Sequence, residues 1–452
     1  MDLGSLSDEI LTSSLKRWRS RNIGNFILSI GLQIRSSDPL KLLPVLSENC
    51  NFTFAWDNSP DICISAAGCC SSKKLSGEKR FQNAEEFNRE TFSIVEDVSV
   101  NAPIHSRPKI FMSFTFFSDS DLFNKQIFSR AILPKWQLSS SEGSTWLRIN
   151  SFIKSEEEIK GIINELTSMR ERLKNSLNTN KQSVNYISQS SINDWKKMYR
   201  EIVSKGITLL KTNELEKLVI AVKQHLVLKE NLDPLDILIR LRCLKDISCR
   251  FLWKMEKSIY FGASPERILS VKSNKIRVDA LAGTSKSGLE EEGLLYSEKN
   301  LLEHKIVVDS IASKLLDINI RPNYASIPCV VRQGHLAHLL TPIFAEIKGQ
   351  HPLELISILH PTPAVLGSPR DLSMDLLKNL EPFERGYYAA PIGWIDNSGD
   401  TEFRVAIRFG EIKDDGIDLI AGAGLVKGSL IDDELDEISL KLGILANQLS
   451  IQ

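Results

Sequence analysis

Residues 418–443 read DLIAGAGLVKGSLIDDELDEISLKLG, and the reading of this stretch decides the fold. Leu419 and Ile420 open a short apolar strand. Ala421-Gly422-Ala423-Gly424 follows, where backbone without bulky side chains can lie flat against a ligand. Ser429 to Asp432 reads as a helix entry, with acidic residues in the first turns where the helix dipole favours them. On that helix Glu434 and Glu437 stand three positions apart and Lys441 four beyond Glu437, so all three share one face. Two carboxylates and an ammonium beside a glycine floor can hold a metal and an anion together. A solvated acidic helix with one intrahelical ion pair explains the same residues in isolation. The AGAG run is no dinucleotide fingerprint, because it lacks the GxGxxG spacing and a phosphate-binding helix start.

Working outward, 42% hydrophobic and 25% charged residues describe an ordinary globular chain with ample core. A net charge of −1, from 56 Lys and Arg against 57 Asp and Glu, argues against a nucleic-acid partner. The seven cysteines are odd in number and form no paired CxxC units, which fits reduced thiols in a cytoplasmic compartment. The opening MDLGSLSDEILTSSLKRW lacks a signal peptide's apolar core, and its acidic residues argue against a transit peptide. Phe26 to Ile34 is too short and too interrupted to cross a bilayer and alternates like a strand. No membrane association is expected.

Three parts are expected along the chain. Residues 1–175 are a β-rich N-terminal part packed into the same fold, 176–192 a polar linker or loop, and 193–452 a motif-dense core. In the first part the polar stretch Ser71 to Arg89 reads as an exposed connection, Phe128 to Ile149 as a hairpin pair, and Ser155 to Arg172 as a charged helix. After the linker come a helix from Trp195 to Lys211, a strand from Lys217 to Ala221, and a helix from Pro234 to Leu244. The strands RFLWKM, SIYFGASP and KIRVDALAG follow, then a long amphipathic helix from Leu294 to Leu316 and a helix from Pro352 to Leu359. A hairpin from Trp394 to Ile407 turns around Asn397-Ser398-Gly399-Asp400. Strands outnumber simple βαβ units, so the fold class is α+β, a large, mainly antiparallel sheet flanked by helices.

Several residues between these elements can carry chemistry. Lys217 opens an apolar strand, where desolvation can turn a lysine into a base; a lysine in that place is otherwise simply solvated. Glu266 in FGASPER follows a strand end, and burial there would keep it protonated as a general acid; its plain reading is a helix N-terminal carboxylate. Glu303 could complete an all-oxygen cage with Glu434 and Glu437, a set suited to Mg²⁺ rather than zinc. His304 beside it reads as a helix-surface residue. Arg408 ends an alternating strand, where a guanidinium can clamp a carboxylate or form a surface ion pair. His338 has no ligand partner at helical spacing and reads as buried and hydrogen-bonded.

The segments LEKLVIA, FGASPER, LAGTSKSG, SEKNLLEHKIVVDSI, HLLTPI, LHPTPAV, RGYYAAPIGW, EFRVAIR and AGAGLVKGS, with the closing helix, together resemble the chorismate-utilising enzymes in order and spacing. The family includes isochorismate synthases, salicylate synthases and the large subunits of anthranilate and aminodeoxychorismate synthase. The resemblance implies Mg²⁺ and chorismate held in a cleft. It matches Glu303 and Glu437 to metal-binding carboxylates and Glu434 to a third acting through water. It matches Gly283, Thr284, Tyr388, Arg408, Gly422 and Lys441 to substrate-holding positions and His338 to a pocket histidine. Members that use water resemble this chain in carrying a lysine at the position of Lys217, whereas nitrogen-installing members lack it. Ala282 stands where the aminodeoxychorismate branch often has a nucleophilic lysine.

What the resemblance implies is isochorismate synthase of the menaquinone-pathway type, with Lys217 as base towards water and Glu266 protonating the leaving 4-hydroxyl. No obligatory glutaminase subunit is expected. Salicylate synthase, carrying the same two residues, and a non-catalytic chorismate-binding protein are the alternatives. The chain departs from the family pattern at Val222, Leu366, Ala390 and Asn300. Leu366 and Ala390 are expected to tighten the cleft.

Overall fold

A computed structural model describes residues 3–20, 26–118, 128–176, 188–189, 195–212, 214–228, 231–244, 246–256, 258–288, 291–414 and 416–449. The expected α+β class is present, with two sheets rather than one: a 13-stranded sheet and a 9-stranded sheet. Among the described residues every strand pair is antiparallel except Phe26–Ile34 with Val95–Asp97. Aromatic rings join the sheets, as where Phe54 of the larger meets Phe111 of the smaller, ring centroids 4.4 Å apart. One contiguous apolar core takes residues from both.

The β-rich first part supplies interior strands to each sheet. Phe52–Asn58 pairs with Cys249–Met255 in the larger sheet, and Lys109–Ser113 with Pro391–Asp396 in the smaller. The expected linker 176–192 lies mostly outside the described residues. Within it Ser188–Gln189 pairs with the far end of the strand that Lys217 opens.

That strand runs on to Leu228, past the expected end at Ala221. The Phe128 to Ile149 reading is half right. Trp136–Ser141 and Ser144–Ile153 form the hairpin, but Ser129–Leu133 belongs to the other sheet, beside Ser71–Leu75 and Lys109–Ser113. Ser71 to Arg89 is no exposed connection either. It holds the strand Ser71–Leu75 and most of the helix Arg80–Ser93, which buries Phe81, Ala84 and Phe87 beneath a polar outer face. Only one face of that helix needed to be apolar, and the average polarity hid it. Helices at Leu3–Ser20, Pro39–Leu46 and Arg370–Leu380 were also not anticipated.

The hairpin around Asn397 forms as expected, because Asp396 Oδ1 accepts from the Ser398 and Asp400 amides at 2.8 and 3.1 Å. The long helix spans Glu298–Asp317, capped by Ser297 Oγ, which accepts from the Asn300 amide at 3.3 Å. A short 3₁₀ turn, Glu292–Tyr296, precedes it. Among the described residues no helix is long and apolar enough to cross a membrane. All seven cysteines are free thiols.

Candidate active site

The site forms where the chain passes between sheets. Ser258–Ser264 belongs to the larger sheet and Arg267–Lys272 to the smaller, and Glu266 stands at the crossing. Thr401–Val405 and Phe409–Lys413 are divided between the sheets in the same way, and Arg408 stands at that second crossing. Arg408 therefore does not end a strand. It occupies a left-handed kink at φ 50°, a conformation costly for any residue with a Cβ and retained only where the surroundings impose it. The crossings brace each other: the Val405 amide donates to Glu266 O at 3.1 Å and the Ala263 amide to Arg408 O at 3.3 Å.

Between them lies a cavity of about 50 Å³. Glu266, Gly283, Thr284, Glu303, His338, Tyr388, Arg408, Gly422 and Lys441 line it, together with Val219, Ala282, Ala364, Val365 and Gly424. Nine residues proposed from sequence thus meet at one place. Leu366 and Ala390 do not line the cavity, contrary to expectation; both side chains are buried in the core.

Lys217 is wholly buried, with Nζ 2.9 Å from Glu303 Oε1. Val219 pairs with Gly424 and Ala221 with Gly422 on the antiparallel neighbour Gly416–Val426. A Cβ on Gly424 would stand 2.4 Å from Glu303 Oε1 and 2.8 Å from Lys217 Cε, so only glycine lets this ion pair form against the strand. Gly283, at φ +80°, sits at a register shift between Ala282 and Thr284, and the bulge turns Thr284 inward. Asn300 Oδ1 accepts from the Thr284 amide at 3.3 Å, so the asparagine that departs from the family pattern keeps the acceptor this loop uses.

Burial carries the Glu266 carboxyl up to about 7, with Lys217 and Arg408 pulling against it. His338 is buried between Thr284 Oγ1, 3.2 Å from Nδ1, and Arg408 Nη2, 3.2 Å from Nε2. The guanidinium can only donate, so Nε2 accepts and the ring proton sits on Nδ1. Burial, then Arg408 and Lys441, push this histidine down to about 3, so it remains neutral. His304 is not a helix-surface residue: it is buried, 2.8 Å from Thr341 Oγ1, and burial with nearby Lys217 lowers it to about 4.

Three carboxylates each carry an ammonium: Glu303 with Lys217, Glu437 with Lys441 at 2.5 Å, and Glu434 with Lys299 at 2.6 Å. Lys441 also donates to Gly422 O at 2.8 Å. Lys299 was missed in sequence; its position one helical turn before Glu303 was the available signal. Burial, then Glu437, carry Glu434 up to about 7, while Glu437 is held low because Lys441 and Lys299 outweigh its own burial. Among the described residues no three His, Cys, Asp or Glu side chains are gathered into a metal cage. The donor chemistry nevertheless suits a hard cation: all oxygen, mutually repelling, with Glu434 Oε2 buried and without a hydrogen-bond partner.

Residues 13–450 match the family model described as chorismate binding enzyme. The chain is 30% identical over 451 residues to isochorismate synthase MenF of Bacillus subtilis, covering 92% of each. It is 27% identical over 268 residues to anthranilate synthase component 1 of Saccharolobus solfataricus, covering 57% of this chain and 63% of the relative. The solved menaquinone-specific isochorismate synthase MenF of Escherichia coli superposes with a TM-score of 0.76 at 22% identity, over 98% of this chain and all of that one, and supports the fold alone. On sequence, therefore, this chain belongs to the chorismate binding enzyme family.

Proposed function

We propose that the chain is an isochorismate synthase, adding water at ring carbon 2 of chorismate while the hydroxyl on carbon 4 leaves. The observation that carries this reading is Glu266, buried at the cavity and carried up to about 7, with the wholly buried Lys217 near enough for its charge to pull against that rise. A protonated carboxyl near neutral pH is the donor the leaving hydroxyl needs. To act as the base Lys217 must first give up the proton of its pair with Glu303; as the free amine it takes the proton from the attacking water, and Glu303, 2.9 Å away, stabilises the ammonium that results. One water enters and one leaves, so the net reaction is an isomerisation. Arg408 and Lys441 are the cations that hold the substrate's carboxylates. Neutral His338, with its proton committed to Thr284, fixes the Arg408 guanidinium from behind.

Magnesium is the cation we infer, held by Glu303, Glu434 and Glu437; when bound it would stabilise negative charge on the ring carboxylate. Ala282 lines the cavity without a nucleophilic atom, which supports a route with no covalent adduct, and together with Lys217 as base it supports water rather than ammonia, so that no obligatory glutaminase partner is inferred. We also infer a place in menaquinone synthesis and a cytoplasmic location, in line with the fold shared with the menaquinone-specific isochorismate synthase of Escherichia coli and the likeness over 92% of both chains to isochorismate synthase MenF of Bacillus subtilis.

Incubation of the pure chain with chorismate and Mg²⁺, followed by chromatographic identification of the product, tests the reading. Isochorismate that vanishes in excess chelator is expected. Salicylate with pyruvate as the accumulating products, or no consumption of chorismate, would overturn it.

A further inference from the structure

The strand Lys217–Leu228 is paired along its length on one side, by Gly416–Val426. On its other side, among the described residues, Gly367–Ser368 pairs only with Lys217 and Leu218, and Ser188–Gln189 only with Val227 and Leu228. Just past Leu218, the buried ion pair of Glu381 and Arg385 takes the place of a neighbouring strand. Arg385 Nη2 donates to Val219 O at 2.7 Å, and Glu381 Oε1 accepts from the Ala221 amide at 2.7 Å. The same guanidinium donates through Nη1 to Val365 O at 2.7 Å. Its remaining bonds, Nε to Glu381 Oε2 at 2.8 Å and Nη2 to Glu381 Oε1 at 2.5 Å, lock the fork.

Both side chains are excluded from solvent, Arg385 at 0% and Glu381 at 2% exposure. A buried ion pair adds little net stability over apolar residues of the same volume. What this one adds is geometry, because Val219 and Val365 line the active-site cavity and Lys217 lies two residues before Val219.

We propose that Glu381 and Arg385 are positioning residues: the pair fixes the Val365 wall against the strand that carries Lys217, and thereby sets where the base stands relative to the substrate. Neither residue touches the substrate in this account. The proposal rests on the chorismate reaction inferred above. A displacement of about 1 Å at a reacting group can cost on the order of 10²-fold in rate. Substrate anchoring, by contrast, comes from Arg408 and Lys441 on other elements.

The test uses the full chain with chorismate and compares wild type with Arg385→Lys, whose single ammonium keeps the pair with Glu381 but cannot reach both carbonyls as a planar fork does. A second variant, Glu381→Gln with Arg385→Met, removes the buried charges together, so that neither is left unpaired, and retains an acceptor for the Ala221 amide. Unfolding in urea establishes that each variant is folded under assay conditions. The expected result for both is a kcat lowered by roughly 10-fold or more with KM changed by less than about 3-fold. Wild-type kcat per folded molecule in either variant would overturn the clamp and reduce the pair to a structural one. Failure of the wild type itself to convert chorismate would instead overturn the reaction reading, and the clamp with it.

Discussion

Glu266 is buried at a chain crossing, and that placement makes its behaviour with pH specific. Its carboxyl is carried from the ordinary 4.5 up to about 7 by burial, against the pull of Lys217 and Arg408. As a general acid it must be protonated, so kcat should fall as pH rises through about 7. Glu266→Gln should lower kcat by roughly 10²-fold or more and abolish that alkaline limb, as a pH–rate profile would show. The sign for stability runs with it. Between 4.5 and about 7 the folded chain holds a proton that the unfolded chain has released, so stability declines as pH rises through that window. The neutral glutamine escapes this cost. Glu266→Gln should therefore be the more stable protein above pH 7, by up to about 3 kcal/mol, with no such gain below 4.5. Urea melts of both proteins across that range check the claim. Lys217→Ala should lose activity on the same scale as Glu266→Gln, and near-normal kcat in that variant would remove the base from the account.

Among the secondary elements, the strand Gly416–Val426 supplies the glycine floor and the closing helix Ile431–Leu449 supplies Glu434, Glu437 and Lys441. Gly424→Ala would drive a methyl to within 2.4 Å of Glu303 Oε1 and 2.8 Å of Lys217 Cε. We expect it to cut kcat by about 10²-fold by displacing that pair, measured in the chorismate assay. Gly443→Ala on the helix is the matched control: its nearest neighbour would be 3.6 Å away, and the change should stabilise by roughly 0.5–1 kcal/mol without altering kcat. Most of this was legible in the sequence, because glycine spacing and carboxylates at helical intervals carry their own geometry. The bracing of the two crossings was not. Arg408 was read as the end of a strand because the alternation of EFRVAIRF continues through the kink, and nothing local marks a change of sheet. The burial of His304 has no local sign, because its hydrogen-bond partner, Thr341, lies 37 residues away in sequence. Lys299 escaped notice because its partner, Glu434, lies on another helix.

For the whole molecule, the interleaving of the chain's two parts governs stability. The motif-bearing part, 193–452, looks self-sufficient when read as a string of motifs. In the folded chain its strands Cys249–Met255 and Pro391–Asp396 are flanked by Phe52–Asn58 and Lys109–Ser113 from the first part. Rings such as Phe54 and Trp253 pack across that seam, with centroids 5.9 Å apart. Residues 193–452 expressed alone should therefore lack a cooperative unfolding transition and expose unpaired strand edges that aggregate. A soluble fragment melting cooperatively would show that the first part is dispensable for folding.

The central claim is that water attacks the ring under the control of Lys217 and Glu266, and the most direct measurement is isotopic. Chorismate is incubated with the full chain and Mg²⁺ in water enriched in heavy oxygen, and the product is read by mass spectrometry with fragment assignment. The account predicts isochorismate carrying the heavy isotope in its ring hydroxyl, formed roughly 10²-fold or more slowly by Lys217→Ala. Isochorismate formed without the label would contradict it.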